Sequence, residues 1–168
     1  MSVAWVTALD QMRALVAKSA TFRLWVGIDP LDPEEDQQTA ALLRVWEEID
    51  DATSARPLAI VTTPSADSLD VVRSGSPFPF VPNGRLMVVF EEDLPDRWEK
   101  LTGAQKRTGL RNVKSKTGAI LDEMTEIAER QGFAWIRAYS NGIFEVSESG
   151  RGVDFVVAGF LVNWGLEA

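Results

Sequence analysis

The sequence predicts an α+β domain with an antiparallel or mixed sheet of about five strands and helices packed on one face. Three observations predict it. Apolar residues recur at helical spacing near the N-terminus and in the middle of the chain. Short runs of strand-forming residues, bounded by glycine or proline, lie between and after these segments. The resulting order of two helices, two strands, one helix and three strands favours helices on one side of the sheet.

The composition favours a single domain spanning residues 1–168. The chain is 45% apolar and contains six tryptophans, which argues against disorder. Its longest apolar runs, such as 156–162, are far below the roughly 18 residues that a bilayer-spanning helix needs. The order of basic, apolar and small residues that marks a secretory signal is also missing from the N-terminus. We therefore expect synthesis and assembly in a cytoplasm, with no membrane partner.

The N-terminal region, residues 3–51, is predicted to be mainly helical. Residues 3–18 form one helix with Ser2 as its N-cap. Asp32-Pro33 is a helix start signal, and the second helix is predicted to end near Asp51. Its apolar stripe comprises Leu42, Val45, Trp46 and Ile49. The segment Thr21–Val26 is rich in strand formers and is predicted to be a short strand.

The sheet and one long helix are predicted over residues 57–165. The helix runs from about Ala104 to Arg130, where apolar residues keep helical spacing. Asn141-Gly142 is a hairpin signal and predicts that the strands on either side pair with each other. The predicted strands are 58–62, 85–91, 133–139, 143–146 and 153–164.

Residues 64–83 are predicted to be an extended arm, because they contain four prolines, a glycine and several serines. Phe78 and Phe80 lie between these prolines and would be awkward in water. We expect both to pack against this domain or a neighbouring subunit, and both are interface candidates.

The chain contains no histidine and no cysteine. These absences exclude a Ser-His-Asp triad, a cysteine nucleophile and a thiolate zinc site within the chain. The acidic run 91–93 is interpreted as a solvated strand end, because consecutive strand residues point to opposite faces. We therefore predict a non-enzymatic protein with no catalytic residues, no cofactor and no metal site. A magnesium-dependent carboxylate hydrolase is the third-ranked alternative.

The net charge of −8 disfavours general nucleic-acid binding. Charge is nevertheless segregated, with an acidic excess before residue 50 and a basic stretch at 97–116. The two blocks either face water or form a head-to-tail contact between copies. The long helix is basic in its first half and acidic in its second, which opposes the helix dipole. Arg107, Arg111 and Lys114 are therefore candidates for contact with a charged partner.

The last predicted strand, 153–164, is apolar on both faces. A strand with helices on one face and water on the other would alternate apolar and polar residues. Something must therefore cover the second face, and either the arm or a neighbouring subunit could do so. The interface candidates on this strand are Phe155, Val157 and Leu161.

The ending Asp154-Phe155-Val156-Val157-Ala158-Gly159-Phe160-Leu161-Val162-Asn163-Trp164-Gly165 resembles the closing strand of small phage tail proteins. The preceding helix and the strands near 133–136 and 85–90 fit the same plan. Over roughly residues 57–165 the chain resembles the tail-terminator or tail-completion family of long-tailed phages and prophages. The N-terminal helices fit only loosely, and the arm has no counterpart in that plan.

The resemblance implies a virion structural protein that forms a ring at the head-proximal end of the tail. Such a homo-oligomer would contact tail-tube and head-connector proteins. It would need no cofactor, and would pass from the host cytoplasm into the virion. The alternative is a small acidic protein-binding module, such as a toxin immunity protein, because the net charge suits a basic partner.

Overall fold

The computed structural model describes residues 3–47, 55–63, 83–130, 135–138, 142–148 and 152–165. The helices in these residues are α1 (Val3–Lys18), α2 (Ala20–Trp25), α3 (Glu34–Leu42) and α4 (Gly103–Arg130). The strands are β1 (Val45–Trp46), β2 (Leu58–Thr62), β3 (Asn83–Asp93), β4 (Trp135–Ala138), β5 (Ile143–Glu148) and β6 (Asp154–Gly165). A 3₁₀ turn at Trp98–Lys100 precedes α4. The predicted α+β class is confirmed.

The sheet is mixed and has the order β1-β2-β3-β6-β4, with β5 also paired to β6. The β1–β2 pair is parallel, and the other pairs are antiparallel. Both β4 and β5 lie along the edge of β6 that faces away from β3. Ala138 is opposite Val162 and Ile143 is opposite Gly159, so the two short strands follow one another end to end. The sheet is therefore five strands wide, as predicted.

The predicted hairpin between β4 and β5 is wrong. Both strands run antiparallel to β6, in the same direction as each other, so neither can be the other's hairpin partner. Asn141 lies outside the described residues. Gly142 has φ +84°, and a Cβ at this position would overlap the ring of Phe160. Glycine is therefore required where the edge strand rejoins β6.

The helices pack on one face of the sheet, here called the core face. Leu86, Val88 and Phe90 of β3 point into it and are fully buried. Phe90 lies at its centre, with its ring centroid 6.4 Å from that of Phe22 and 6.1 Å from that of Trp25. Such aromatic contacts add about 0.5–1.5 kcal/mol per pair beyond burial of the rings. The core therefore ties α2 directly to the middle of the sheet.

Helix α4 matches its predicted span of 104–130 to within one residue. Its start is a capping box, in which Gln105 N donates to Thr102 Oγ1 at 3.2 Å and Thr102 N donates to Gln105 Oε1 at 2.9 Å. Its buried residues recur at helical spacing and are Val113, Thr117, Ile120, Met124 and Ala128. These residues pack the helix against the core face.

The segment predicted as a strand at Thr21–Val26 is instead helix α2. Ser19 is its N-cap, and its Oγ accepts a hydrogen bond from Phe22 N at 3.1 Å. Glu123 of α4 accepts hydrogen bonds from Ser19 Oγ, from Thr21 N at 3.2 Å and from Thr21 Oγ1 at 2.8 Å. The cap and this carboxylate outweigh the strand propensity of the segment.

The prediction that the second helix continues to Asp51 is also wrong. Helix α3 ends at Leu42, and Val45 is buried in the core as part of β1. Arg13 of α1 donates to the Val45 carbonyl from Nε at 3.1 Å and from Nη2 at 2.9 Å. A two-residue edge strand is thus fixed by pairing with β2 on one side and by an arginine on the other.

Candidate interaction surfaces

The first candidate surface is the face of the sheet opposite the helices, here called the outer face. The strand register places Met87 and Val89 of β3 beside Leu161 and Gly159 of β6 on this face. Met87, Val89, Val157 and Leu161 are all half-buried, whereas their sequence neighbours on the core face are buried. The predicted two-sided apolar character of the last strand is therefore present, and the described helices cover only its core face.

Burial of the outer face is greatest at β2. Leu58 is 2% exposed and Ile60 is 3% exposed, although both alternate with the core-facing Ala59 and Val61. The apolar surface along β3 and β6 remains more accessible than the surface along β2. This gradient leaves Leu161 and its neighbours as the part of the outer face that a partner can reach.

One end of the outer face is closed by an arginine. The guanidinium carbon of Arg56 lies 3.6 Å from the ring centroid of Phe155. Arg56 Nη2 lies 3.6 Å from Glu91 Oε1, and Arg56 Nη1 lies 3.4 Å from Asp93 Oδ1. Arg56 therefore covers Phe155 within the same chain, and only 7% of this predicted interface residue is exposed.

The interpretation of residues 91–93 as a solvated strand end is confirmed for the exposed Asp93 but is wrong for Glu91. Glu91 is buried and pairs with Arg56, whereas Glu92 Oε2 accepts from Trp25 Nε1 at 2.6 Å. These carboxylates are held by partners on other elements of the fold. Within the described residues, no group of three or more acidic side chains is arranged to hold a metal ion.

The second candidate surface is the basic first half of α4. Arg107, Arg111 and Lys114, the candidates for contact with a charged partner, are exposed. The lysines in this half each lie over an aromatic ring of another element. The ammonium-to-centroid distances are 4.9 Å for Lys106 and Trp98, 5.1 Å for Lys114 and Phe144, and 5.4 Å for Lys116 and Trp25. These cation–π contacts hold the ammonium groups near the helix without neutralising them.

A groove of about 420 Å³ lies beside this basic surface, between the start of α4 and the loop that follows β3. In its wall Gly109 lies so close to Leu94 that a Cβ at position 109 would be only 2.6 Å from Leu94 Cδ2. Asp154 fixes the loop, since its Oδ2 accepts from Trp98 N and its carbonyl from Leu94 N, each at 2.8 Å. The groove is therefore a fixed depression rather than an opening between independent segments.

Five of the acidic residues before position 50 form a third surface, here called the acidic segment, at residues 29–36. Its five carboxylates are exposed and belong to Asp29, Asp32, Glu34, Glu35 and Asp36. Asp29 Oδ1 accepts from Leu31 N at 2.9 Å, and Glu34 Oε1 lies 3.9 Å from Arg23 Nη2. The predicted segregation of charge is thus present on the surface, at residues 29–36 and on the first half of α4.

Phe78 and Phe80, the predicted interface residues of the arm, lie outside the described residues. Sequence reasoning also missed two clusters that only the fold brings together, Arg56 with Glu91 and Ser19 with Glu123. The serine was the one available signal, because a serine before an apolar i, i+3 pair indicates an N-cap.

No protein-family model matches the chain, and no curated protein matches it at a significant level. The resemblance to phage tail proteins therefore stays a prediction. None of the helices in the described part of the chain is long and apolar enough to cross a membrane.

Proposed function

We propose that this protein is a non-enzymatic structural subunit that associates with copies of itself, in the manner of a phage or prophage tail terminator. The observation that carries the proposal is the half-buried apolar patch on the outer face, formed by Met87, Val89, Val157 and Leu161. Contiguous apolar surface of this kind is typical of protein–protein interfaces. A neighbouring subunit seated there would remove it from water.

The resemblance of residues 57–165 to the tail-terminator family supports a ring as the form of this association. In that role the ring would end tube growth, with tail-tube protein on one side and the head connector on the other. Assembly would begin in the host cytoplasm and finish in the virion. Segregated surface charge also favours contact between unlike surfaces, and heterologous contacts of this kind form a ring when the rotation between subunits closes.

Sedimentation velocity and light scattering over a concentration series up to about 1 mM test the proposal. We expect association that Leu161→Lys weakens at least tenfold, since it places a charge in the apolar patch. The matched control is Leu43→Lys, because Leu43 is 74% exposed and belongs neither to the apolar patch nor to the acidic residues of the N-terminal region. A wild-type chain that stays monomeric throughout, or two variants with equal effects, would contradict the proposal.

The non-enzymatic part of the proposal has its own test. Calorimetry with magnesium, manganese and calcium should show no binding tighter than millimolar, and plasmid DNA should remain intact with each ion. The carboxylates of Glu91 and Glu92 are already held by Arg56 and Trp25, which supports this expectation. A micromolar site that Glu92→Gln or Asp96→Asn removes would overturn it.

A second candidate function is an acidic binding module of the toxin-immunity kind. The net charge of −8 and the exposed acidic segment favour a basic partner. Stoichiometry separates the two functions. A module of this kind would stay a monomer or small dimer and form a one-to-one complex, whereas a terminator would form a closed ring of like subunits.

A further inference from the structure

We infer that the basic face of α4 is a docking surface for a second copy of this chain, and that the acidic segment of that copy is what it binds. The inference rests on the proposed self-association and names the surfaces that would carry it. It concerns the α4 face rather than the apolar outer face. The two contacts can therefore be tested separately.

The basic side of this pair has no carboxylate partner in the part of the chain that the structure describes. Among the described residues, Arg107 and Arg111 make no ion pair, and Lys106, Lys114 and Lys116 contact aromatic rings rather than carboxylates. Four of the other described arginines, Arg13, Arg23, Arg56 and Arg130, each have a carboxylate within 4 Å. Arg44 donates to backbone carbonyls instead. The exposed Arg97 and Lys100, which precede α4, also have no ion pair among the described residues. Cations without an ion pair are thus concentrated between residues 97 and 116.

The acidic side is uncompensated in the same way. Of its five carboxylates only that of Glu34 has an ion-pair contact among the described residues, a loose one of 3.9 Å to Arg23. Asp32 and Asp36 are exposed and have no side-chain partner in that part of the chain. No ion pair between described residues joins this segment to α4, so the two surfaces do not neutralise each other within one molecule.

A second copy is the partner that fits both surfaces at once. Five carboxylates on the acidic segment match five cations on the first half of α4, and every copy carries both sets. Helix α2 packs against both α3 and α4, so the two charged elements flank it. When the acidic segment of one copy binds the α4 face of another, the dimer still has one free α4 face and one free acidic segment. Further copies can therefore add, until a ring closes or a filament forms.

Charge exchange tests the inference. One variant, Arg107→Glu with Arg111→Glu, makes the α4 face acidic. The other, Asp32→Lys with Asp36→Lys, makes the acidic segment basic. We expect each variant alone to associate at least tenfold more weakly than the wild type at 0.05 M salt. Because screened contacts weaken as salt rises, the wild-type association should itself fall between 0.05 and 0.5 M.

Mixing gives the decisive measurement. An equimolar mixture of the two variants offers one natural and one reversed contact, so association should return. A single chain that carries all four substitutions should associate with itself for the same reason. Arg107→Lys with Arg111→Lys keeps the charge and is the control. Circular dichroism and thermal melting on each chain confirm that the variants fold.

The outcomes separate this inference from the proposed function. If the wild type associates but charge reversal changes nothing, the surface assignment is wrong and self-association stands. If reversal weakens association and neither the mixture nor the four-fold variant restores it, charge pairing is refuted. If the wild type is monomeric yet binds a DNA duplex probe at 0.15 M salt through Arg107 and Arg111, both are overturned and the face belongs to a polyanion.

Discussion

Removing the Glu123 carboxylate should destabilise the protein more than any other single change on the solvent side of α4. This carboxylate accepts hydrogen bonds from Ser19 Oγ, Thr21 N and Thr21 Oγ1, and so joins the start of α2 to the middle of α4. Ser19 is fully buried. Its hydroxyl would lose its acceptor in a place that water does not reach.

The magnitude follows from these contacts. A buried donor left without its acceptor costs about 1–3 kcal/mol, and a hydrogen bond to a charged group contributes about 1.5–3 kcal/mol. Because Glu123 is half-buried and the Thr21 groups can bind water after the change, the lower part of this range applies. We expect Glu123→Ala to lower the free energy of unfolding by about 1–2 kcal/mol. For a chain of this length that is a fall in Tm of about 2–8 °C.

Urea unfolding followed by tryptophan fluorescence measures this loss, and Asp122→Ala is the matched control. Asp122 is the preceding residue of the same helix, is exposed and has no partner among the described residues, so its loss should stay within about 0.5 kcal/mol. Thr21→Val on the Glu123→Ala background should cost less than on the wild type, because the shared bond is already absent. Equal losses for Glu123→Ala and Asp122→Ala would refute the reasoning.

Three further changes test the fold with the same unfolding assay. Gly142→Ala should cost about 1–3 kcal/mol, because it combines a positive φ with overlap of the Phe160 ring. The control Gly152→Ala has the positive φ without a close neighbour and should cost less. Phe90→Ala should cost about 3–5 kcal/mol through loss of core contacts, and equality with an exposed-site change would contradict its central position. Arg56→Ala should cost about 3–5 kcal/mol, because the buried Glu91 would lose its ion pair with Arg56; a neutral result would show that the pair is hydrated.

The elements that sequence reasoning located well are those determined by local signals. Helix α4 has a capping box at Thr102 and a regular apolar stripe, and both lie within the segment itself. The central strands are similar, since alternation alone separates Leu86, Val88 and Phe90 from Met87 and Val89. Where the capping residues and the apolar pattern that determine an element lie within its own segment, the sequence alone predicts the element.

The elements that it missed depend on distant partners. Val45 satisfies a helical stripe and a two-residue strand equally well, and pairing with β2 decides between them. Asn141-Gly142 indicates a turn but not what the next strand will pair with, and β6 comes later in the chain. Glu91 is buried because Arg56, far away in sequence, reaches it. No local pattern reports such a contact.

The position of β6 has a consequence for biosynthesis. This strand pairs with β3, β4 and β5, yet it leaves the ribosome after all of them. Until Asp154–Gly165 has emerged, the edge of β3 that pairs with this strand has no neighbour. Strands β4 and β5 also have no strand to pair with. The sheet therefore closes only once this strand has been made. A chain interrupted before Asp154 would present an open β3 edge to proteases and chaperones instead of a finished domain.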